Sequence, residues 1–148
     1  MKALILAAGK TNGNFANTNI PVCMQKIEDS SILEIQLNTL HNCGIRDISI
    51  VRGFKAEQID YPGIVYFENK DYENSGVLHS LWSAEEILRG EVLVLYSDIL
   101  YDQEIINRII SSKSDFCLGV HIGWNSGENS QSNENVEIIK IGHESDVE

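Results

Sequence analysis

An apolar run at the start of the chain constrains the fold more than any other stretch. Residues 3–8 are all apolar, and Gly9 ends the run. A continuous apolar run, as opposed to an alternating one, predicts a central β-strand that is covered on both faces. The run closes on Ala7, Ala8 and Gly9, where the strand passes into a loop. Side chains this small allow a ligand to approach the main chain, so that its N–H groups can bind the ligand.

Two common glycine-loop motifs are excluded by their spacing. A P-loop requires a glycine five positions before Gly9, and Leu4 stands there. A dinucleotide-binding fingerprint requires a glycine at position 11, which is Thr11. The sequence Gly9-Lys10-Thr11 therefore belongs to neither motif.

Further strands and helices alternate along the chain. A polar loop is expected over residues 11–20, and Ser30 or Ser31 is expected to cap a first helix that ends at Cys43-Gly44. The patterns predict further strands over residues 47–51, 64–67, 92–96, 116–120 and 136–141, one helical turn over 55–58, and helices over 78–88 and after Asp102. The run at 92–96 contains no polar residue and is expected to form a fully buried strand.

This alternation predicts an α/β fold, namely a Rossmann-like three-layer sandwich with a mostly parallel central sheet. Ligands of such open sheets bind beyond the carboxyl ends of the strands. We expect one domain over residues 1–148, incomplete at its C-terminal end because a last strand would have no helix to cover it. An exposed terminal strand would favour pairing between chains, and hence a homo-oligomer.

Composition narrows the classes of partner. The chain of 148 residues has 22 acidic and 11 basic side chains, and its formal net charge is −11. Such a charge argues against nucleic acid and against an anionic membrane, because both require a basic surface. A nucleotide would have to be bound locally, with the help of a metal. The sequence shows neither a long apolar segment nor an export signal, so a cytoplasmic protein is expected. The three cysteines are too widely spaced for a zinc pattern.

Asp98 is the sharpest candidate for chemistry. It directly follows the strand predicted over 92–96, at the sheet edge where Gly9 ends the first strand. A carboxylate in that position could hold Mg²⁺ against nucleotide phosphates, since Mg²⁺ normally takes one or two carboxylates from a protein. The alternative is a turn or helix-capping aspartate. Asp102 is the better cap, because a helical pattern starts immediately behind it.

Several motifs resemble, in the correct order, those of the nucleotidyltransferases of the sugar-nucleotide and cytidylyltransferase type. Leu6-Ala7-Ala8-Gly9 is similar to the end of the first strand in that family, and Tyr96-Ser97-Asp98 is similar to its strand-ending aspartate motif. The stretch from Asn69 to Ala84 resembles the Asn-x-x-Tyr…Ser-Leu…Ala block of the phosphocholine and phosphonate cytidylyltransferases. Residues 120–124 also resemble the strand and tryptophan of the phosphonate group.

The resemblance implies a function and a set of site residues. It implies Mg²⁺-dependent transfer of a nucleotidyl group, with CTP favoured, to a small phosphorylated alcohol or phosphonate, with release of pyrophosphate. Asp98 would bind Mg²⁺. The nucleotide would contact the segment Leu6, Ala7, Ala8 and Gly9, and Ser80 and the Gly76 loop would lie near the base.

The phosphate-binding loop departs from the family pattern. The family continues with an arginine and then Pro-Lys, whereas no arginine lies between Gly9 and Lys26, and Pro21 is followed by Val22. Lys10 and Lys26 are the nearby cations that could act in catalysis, although lysine lacks the bidentate fork of arginine. Two further hypotheses therefore stay open: an inactive nucleotide-binding or protein-interaction module of the same fold, and an unrelated α/β domain such as a receiver.

Overall fold

The computed structural model describes residues 1–10 and 19–120. Two compact units divide the chain, Met1–Asp115 and Phe116–Glu148. The single domain expected over 1–148 stays a prediction. In the second unit, residues 116–120 form neither helix nor strand, so the strand predicted there is wrong. The loop expected over 11–20, apart from its last two residues, and the strand expected over 136–141 lie outside the described residues.

The first unit contains six strands and three α-helices within the described residues. The strands are β1 (Lys2–Ala7), β2 (Lys26–Ile27), β3 (Ser30–Ser31), β4 (Ile48–Arg52), β5 (Val65–Glu68) and β6 (Val92–Tyr96). The helices are α1 (Ile32–Asn42), α2 (Val77–Trp82) and α3 (Gln103–Ser111), and short 3-10 turns occupy Val22–Met24, Ala56–Gln58 and Glu85–Ile87. The main sheet has the order β5-β4-β1-β6, and all of its neighbours are parallel.

Strand β1 lies in the middle of this sheet and has one core on each face. Ala3, Ile5 and Ala7 belong to the core on one side, and Leu4 and Leu6 belong to the core on the other. All five side chains are buried. The continuous apolar run is thus explained, and the prediction of a central strand covered on both faces is confirmed.

Helices cover both faces of the sheet, which gives the predicted three layers. On the first face, α1 contributes Leu33 and Leu40 and α3 contributes Ile106 to the core. On the second face, Leu81 of α2 and Ile87 of the following 3-10 turn pack against the other core. The mostly parallel Rossmann-like sandwich is therefore confirmed for the first unit.

The expectation of a fully buried strand over residues 92–96 is wrong for one face of β6. Leu93 and Leu95 are buried, whereas Val94 and Tyr96 are 43% and 36% exposed. Val94 is paired in register with Leu4, so the two side chains lie on the same face of the sheet. This is the face on which Leu81 of α2 packs against the core around Leu4. The apolar run of β6 therefore has one buried face and one partly exposed face.

Helix α1 begins and ends as its sequence predicts. Ser31 is the N-cap: its Oγ accepts the Glu34 N–H at 3.1 Å, and the Glu34 carboxylate accepts the Ser31 N–H at 2.7 Å. Gly44 follows the C-terminal end with φ of 81°, a conformation that favours glycine. This reciprocal cap fixes the start of helix α1.

The helix predicted over residues 78–88 is shorter in the structure. Helix α2 ends at Trp82, and a 3-10 turn follows after Ala84. Leu78 and Trp82 are 72% and 64% exposed, whereas Ala84 is fully buried. Leu81 and Ala84 pack against the same core, so the segment keeps its buried face across the break in the helix.

We expect Cys23 to make stability fall at alkaline pH. Burial raises the pKa of Cys23 from 9.0 to about 12, a backbone hydrogen bond lowers it less, and the negative charge of Asp98 adds to the rise. Between these values the unfolded state loses the thiol proton and the folded state keeps it. The free energy of unfolding should therefore fall by up to about 1.4 kcal/mol per pH unit in this window.

Denaturant unfolding from pH 8 to 10.5 measures this slope. Cys23→Ala should lack this part of the slope, which in the parent should be largest between pH 9 and 10.5 and small at pH 8, where most of the thiol is protonated in either state. Equal slopes in the two proteins would contradict the assignment.

Candidate functional site

The site is built at the carboxyl edge of the parallel sheet. Leu6 of β1 is paired in register with Tyr96 of β6. Ala8 lies two residues after Leu6, and Asp98 lies two residues after Tyr96, so the two segments leave the sheet at the same level. Since β1 and β6 are neighbours, the sheet brings the predicted main-chain site and the predicted metal ligand side by side.

The end of β4 packs directly against the end of β1. The Ala8 carbonyl accepts the Phe54 N–H at 2.9 Å. A Cβ atom added to Gly53 would lie 2.6 Å from the Ala8 carbonyl oxygen and 2.9 Å from Cβ of Tyr72. The position therefore requires glycine, because a methyl group would displace main chain.

Gly9 has the opposite environment. It is exposed, and an added Cβ would meet no described atom within 4 Å. Leu6, Ala7 and Ala8 are buried in the strand end. Of the four residues predicted to contact a nucleotide, Gly9 is thus the one whose main chain is open to solvent.

Two lysines lie close to one aromatic ring at this edge. The Lys10 Nζ is 5.7 Å and the Lys55 Nζ is 5.9 Å from the centroid of the Phe54 ring. Lys55 also donates to the Asn19 Oδ1 at 2.5 Å. The quadrupole of an aromatic ring attracts an ammonium group at such a distance, so the Phe54 ring helps to hold both lysines at this edge.

Sequence reasoning missed Lys55. It lies in a segment expected to form one helical turn, and its backbone is left-handed, with φ of 48°. Its proximity to Lys10 depends on the neighbouring positions of β1 and β4, which no local pattern encodes. A lysine two residues after the glycine that ends a strand was the one available signal.

The structure does not bring Lys26 to this cluster. Lys26 is exposed in the two-residue strand β2, which pairs with Ser31 of β3. Within residues 1–10 and 19–120, the Lys26 side chain makes no hydrogen bond or ion pair. Its predicted catalytic role stays untested, and Lys55 is the better-placed second cation.

The loop after β5 is organised by Asn69, which is 1% exposed. Its Nδ2 donates to the Ser75 Oγ at 2.9 Å and the Ser80 Oγ at 3.0 Å, and its Oδ1 accepts the Asp71 N–H at 3.0 Å. The Ser80 side chain is thus buried against Asn69, while Gly76 is exposed as the N-cap of α2. The predicted proximity of both residues to a base stays a prediction.

Asp98 fits a metal that arrives with a substrate. Its side chain is exposed, and the described part of the chain holds no cluster of three His, Cys, Asp or Glu residues that could bind a metal alone. Mg²⁺ commonly takes one or two carboxylates and completes its coordination with phosphate oxygens and water. One carboxylate at the sheet edge matches that set of donors.

An open groove of about 500 Å³ lies away from this edge, along α1. His41, Tyr61 and Pro62 are among the residues that line it, and none of the candidate site residues is. The site assignment therefore rests on the sheet edge and its chemistry, not on concavity.

Comparison with known proteins shows which enzymes the chain resembles. The chain is 24% identical over 136 residues to the CTP:phosphoglutamine cytidylyltransferase of Campylobacter jejuni, covering 84% of this chain and 54% of that protein. The solved structure of the CTP:phosphocholine cytidylyltransferase from Streptococcus pneumoniae matches with a TM-score of 0.62 and 28% identity, over 70% of this chain and 49% of that one. The chain is similar to nucleotidyltransferases, and both of these relatives are cytidylyltransferases.

A further relative carries a phosphonate in its name. It is the 2-aminoethylphosphonate cytidylyltransferase of Lancefieldella rimae, which is 24% identical over 147 residues, covering 95% of this chain and 60% of that protein. No protein-family model matches the chain. The chain spans between about half and three fifths of the length of these relatives.

Proposed function

We propose that the protein transfers a cytidylyl group from CTP to a small phosphorylated alcohol or phosphonate and releases pyrophosphate. One observation carries the proposal: the open main chain at Gly9, the Asp98 carboxylate and two lysines meet at one carboxyl edge of a parallel sheet. The homology to cytidylyltransferases supports the choice of CTP. The names of the relatives support an acceptor that ends in a phosphate or a phosphonate.

The residues of the site divide the work of a phosphoryl-type transfer. An acceptor oxygen would attack the α-phosphorus of CTP, and the bond from that phosphorus to the pyrophosphate oxygen would break. Such a reaction depends mainly on positioning and on neutralising charge. Main-chain N–H groups of the Ala8-Gly9 segment would bind the triphosphate, and Lys10 and Lys55 would neutralise it.

Asp98 would hold Mg²⁺, whose own contribution is to neutralise the phosphate oxygens and to align them. The carboxylate follows β6 directly, so its main chain is fixed by the sheet on one side and by α3 on the other. We include Mg²⁺ dependence, a cytoplasmic location and a homo-oligomer in the proposal. No helix among the described residues is long and apolar enough to cross a membrane.

Release of pyrophosphate tests the proposal. The purified protein is mixed with CTP and Mg²⁺ and with phosphocholine, 2-aminoethylphosphonate or no acceptor. Acceptor-dependent pyrophosphate above the level of a protein-free control is the expected result. Metal-dependent CTP binding without any release would instead favour the inactive nucleotide-binding module, for which the missing arginine of the first loop is the motivating observation.

The two lysines at Phe54 should each contribute to triphosphate binding. We expect Lys10→Ala and Lys55→Ala to weaken CTP binding by roughly tenfold each, since a hydrogen bond to a charged group contributes about 1.5–3 kcal/mol. Cytidine, which has no phosphate, should show no such loss. Calorimetric titration of each variant with CTP and with cytidine measures the difference.

Lys113→Ala is the matched control, because this lysine is exposed beyond the end of α3. It should leave CTP binding unchanged. Lys26→Ala separates the two assignments of the second cation: a loss at Lys26 with none at Lys55 would overturn the role given to Lys55.

A further inference from the structure

Gln36 lies beneath the loop that carries Asp98. It belongs to α1 and is 1% exposed. Its Nε2 donates to the main-chain carbonyl of Tyr96 at 2.9 Å and to that of Ile99 at 2.6 Å. These two carbonyls flank the Ser97-Asp98 dipeptide, so one side chain bridges both ends of the segment.

The bridge requires an amide at this position. Two carbonyl oxygens need two N–H donors, and a neutral primary amide supplies both from one atom. A carboxylate of the same shape would place oxygen against oxygen. The position of the Gln36 side chain is well defined, because its helix α1 is fixed by the reciprocal cap and by Leu33 and Leu40 in the core.

The other end of the same amide is unpaired. Gln36 Oε1 is buried and has no hydrogen-bond partner among the described residues. Burial of an unpaired acceptor is unfavourable, so an apolar residue of the same volume would be expected if packing were the only requirement. The polar group at this position therefore points to a role in the loop above it.

We propose that Gln36 is a positioning residue that fixes the loop 97–99 and so holds the Asp98 carboxylate in place to bind a metal. The metal-holding role of Asp98 rests on the proposed function. The fixing of loop 97–99 by Gln36 is a property of the protein alone and does not depend on that function. The two parts can be measured separately.

Hydrogen exchange of the ligand-free protein tests the fixed loop. In Gln36→Met, which keeps the volume and loses both donors, the amides of residues 97–100 should exchange about tenfold faster or more relative to those of β1. Gln36→Glu keeps the shape and loses the donors, so the same amides should exchange faster in this variant too. Leu40→Ala is the control, since it weakens the same helix from the core and should raise exchange throughout the unit.

Calorimetry with CTP and Mg²⁺ tests the consequence for the metal. The Mg²⁺ concentration for half-saturation should rise roughly 10–100-fold in Gln36→Met, as for residues that orient a metal ligand, while metal-free CTP binding stays unchanged. Leu40→Ala should change neither value at a temperature where it is folded.

The outcomes distinguish the inference from the function. Unchanged exchange at 97–100 in both Gln36 variants would overturn the inference. Faster exchange with an unchanged Mg²⁺ requirement would overturn the positioning role. A parent protein that binds neither CTP nor Mg²⁺ would overturn the proposed function and the metal-holding role, while the exchange result would still decide whether Gln36 fixes the loop.

Discussion

Asp98→Ala is expected to abolish Mg²⁺-dependent nucleotide transfer and to remove the stimulation of CTP binding by Mg²⁺. Asp98 is the one acidic side chain directly after β6, level with the Ala8-Gly9 main chain across the sheet. Loss of the carboxylate would remove several kcal/mol of charge stabilisation, which corresponds to a rate loss of about a thousandfold or more. Pyrophosphate release and calorimetry with and without Mg²⁺ measure both effects.

Asp102→Ala is the matched control for this prediction. The Asp102 Oδ1 accepts the Ile105 N–H at 2.9 Å and caps α3, so its loss should cost about 1 kcal/mol of stability. Its activity and Mg²⁺ requirement should stay close to those of the parent. If the two aspartate variants had equal activity, Asp98 would be a turn residue and the metal would need another ligand.

Gly53→Ala is expected to disrupt the site through the main chain. The new methyl group would lie 2.6 Å from the Ala8 carbonyl oxygen and 2.9 Å from Cβ of both Ala8 and Tyr72. Relief requires the ends of β1 and β4 to separate, at a cost of about 1–3 kcal/mol in the free energy of unfolding. The same movement would break the bond from the Phe54 N–H to Ala8 and displace both lysines from their ring.

Denaturant unfolding and CTP titration of Gly53→Ala measure these two consequences. Gly9→Ala is the control for stability, because its added Cβ meets no described atom within 4 Å and should change the free energy of unfolding by less than about 0.5 kcal/mol. Gly53→Ala with the stability and CTP affinity of the parent would contradict the close packing of the two strand ends.

The strands of the first unit could be predicted because their apolar runs are long and end in small or polar residues. The run over residues 3–8 and the β-branched segment at β4 became neighbouring strands. Ser31 and Asp102 could be recognised as caps from their immediate sequence, because a cap depends on contacts three residues away. Local physics was sufficient for these features.

Features that depend on distant packing could not be predicted. The exposure of Val94 and Tyr96 depends on what packs against the second face of β6, which the apolar composition of the strand does not reveal. Helix α2 ends at Trp82, although the apolar pattern continues to Leu88. The two-residue strands β2 and β3 are too short to give a periodic signal.

The candidate site shows the same division. The strand ends pointed to Asp98 and the Ala8-Gly9 segment, and the resemblance supported both. The parallel pairing of β1 and β6 explains their relative placement. Lys55 and Gln36 were missed, because one reaches the site across the sheet from β4 and the other from below on α1. Such residues become visible only when the sheet order and the helix face are known.

Calorimetric titration of the purified chain with CTP, ATP, GTP and UTP, each with and without Mg²⁺, tests the central claim most directly. The account predicts binding that depends on Mg²⁺ and is tightest for CTP. Absence of binding for all four nucleotides would contradict the proposed nucleotide site. Equal binding of all four would contradict the assignment of the cytidylyl group.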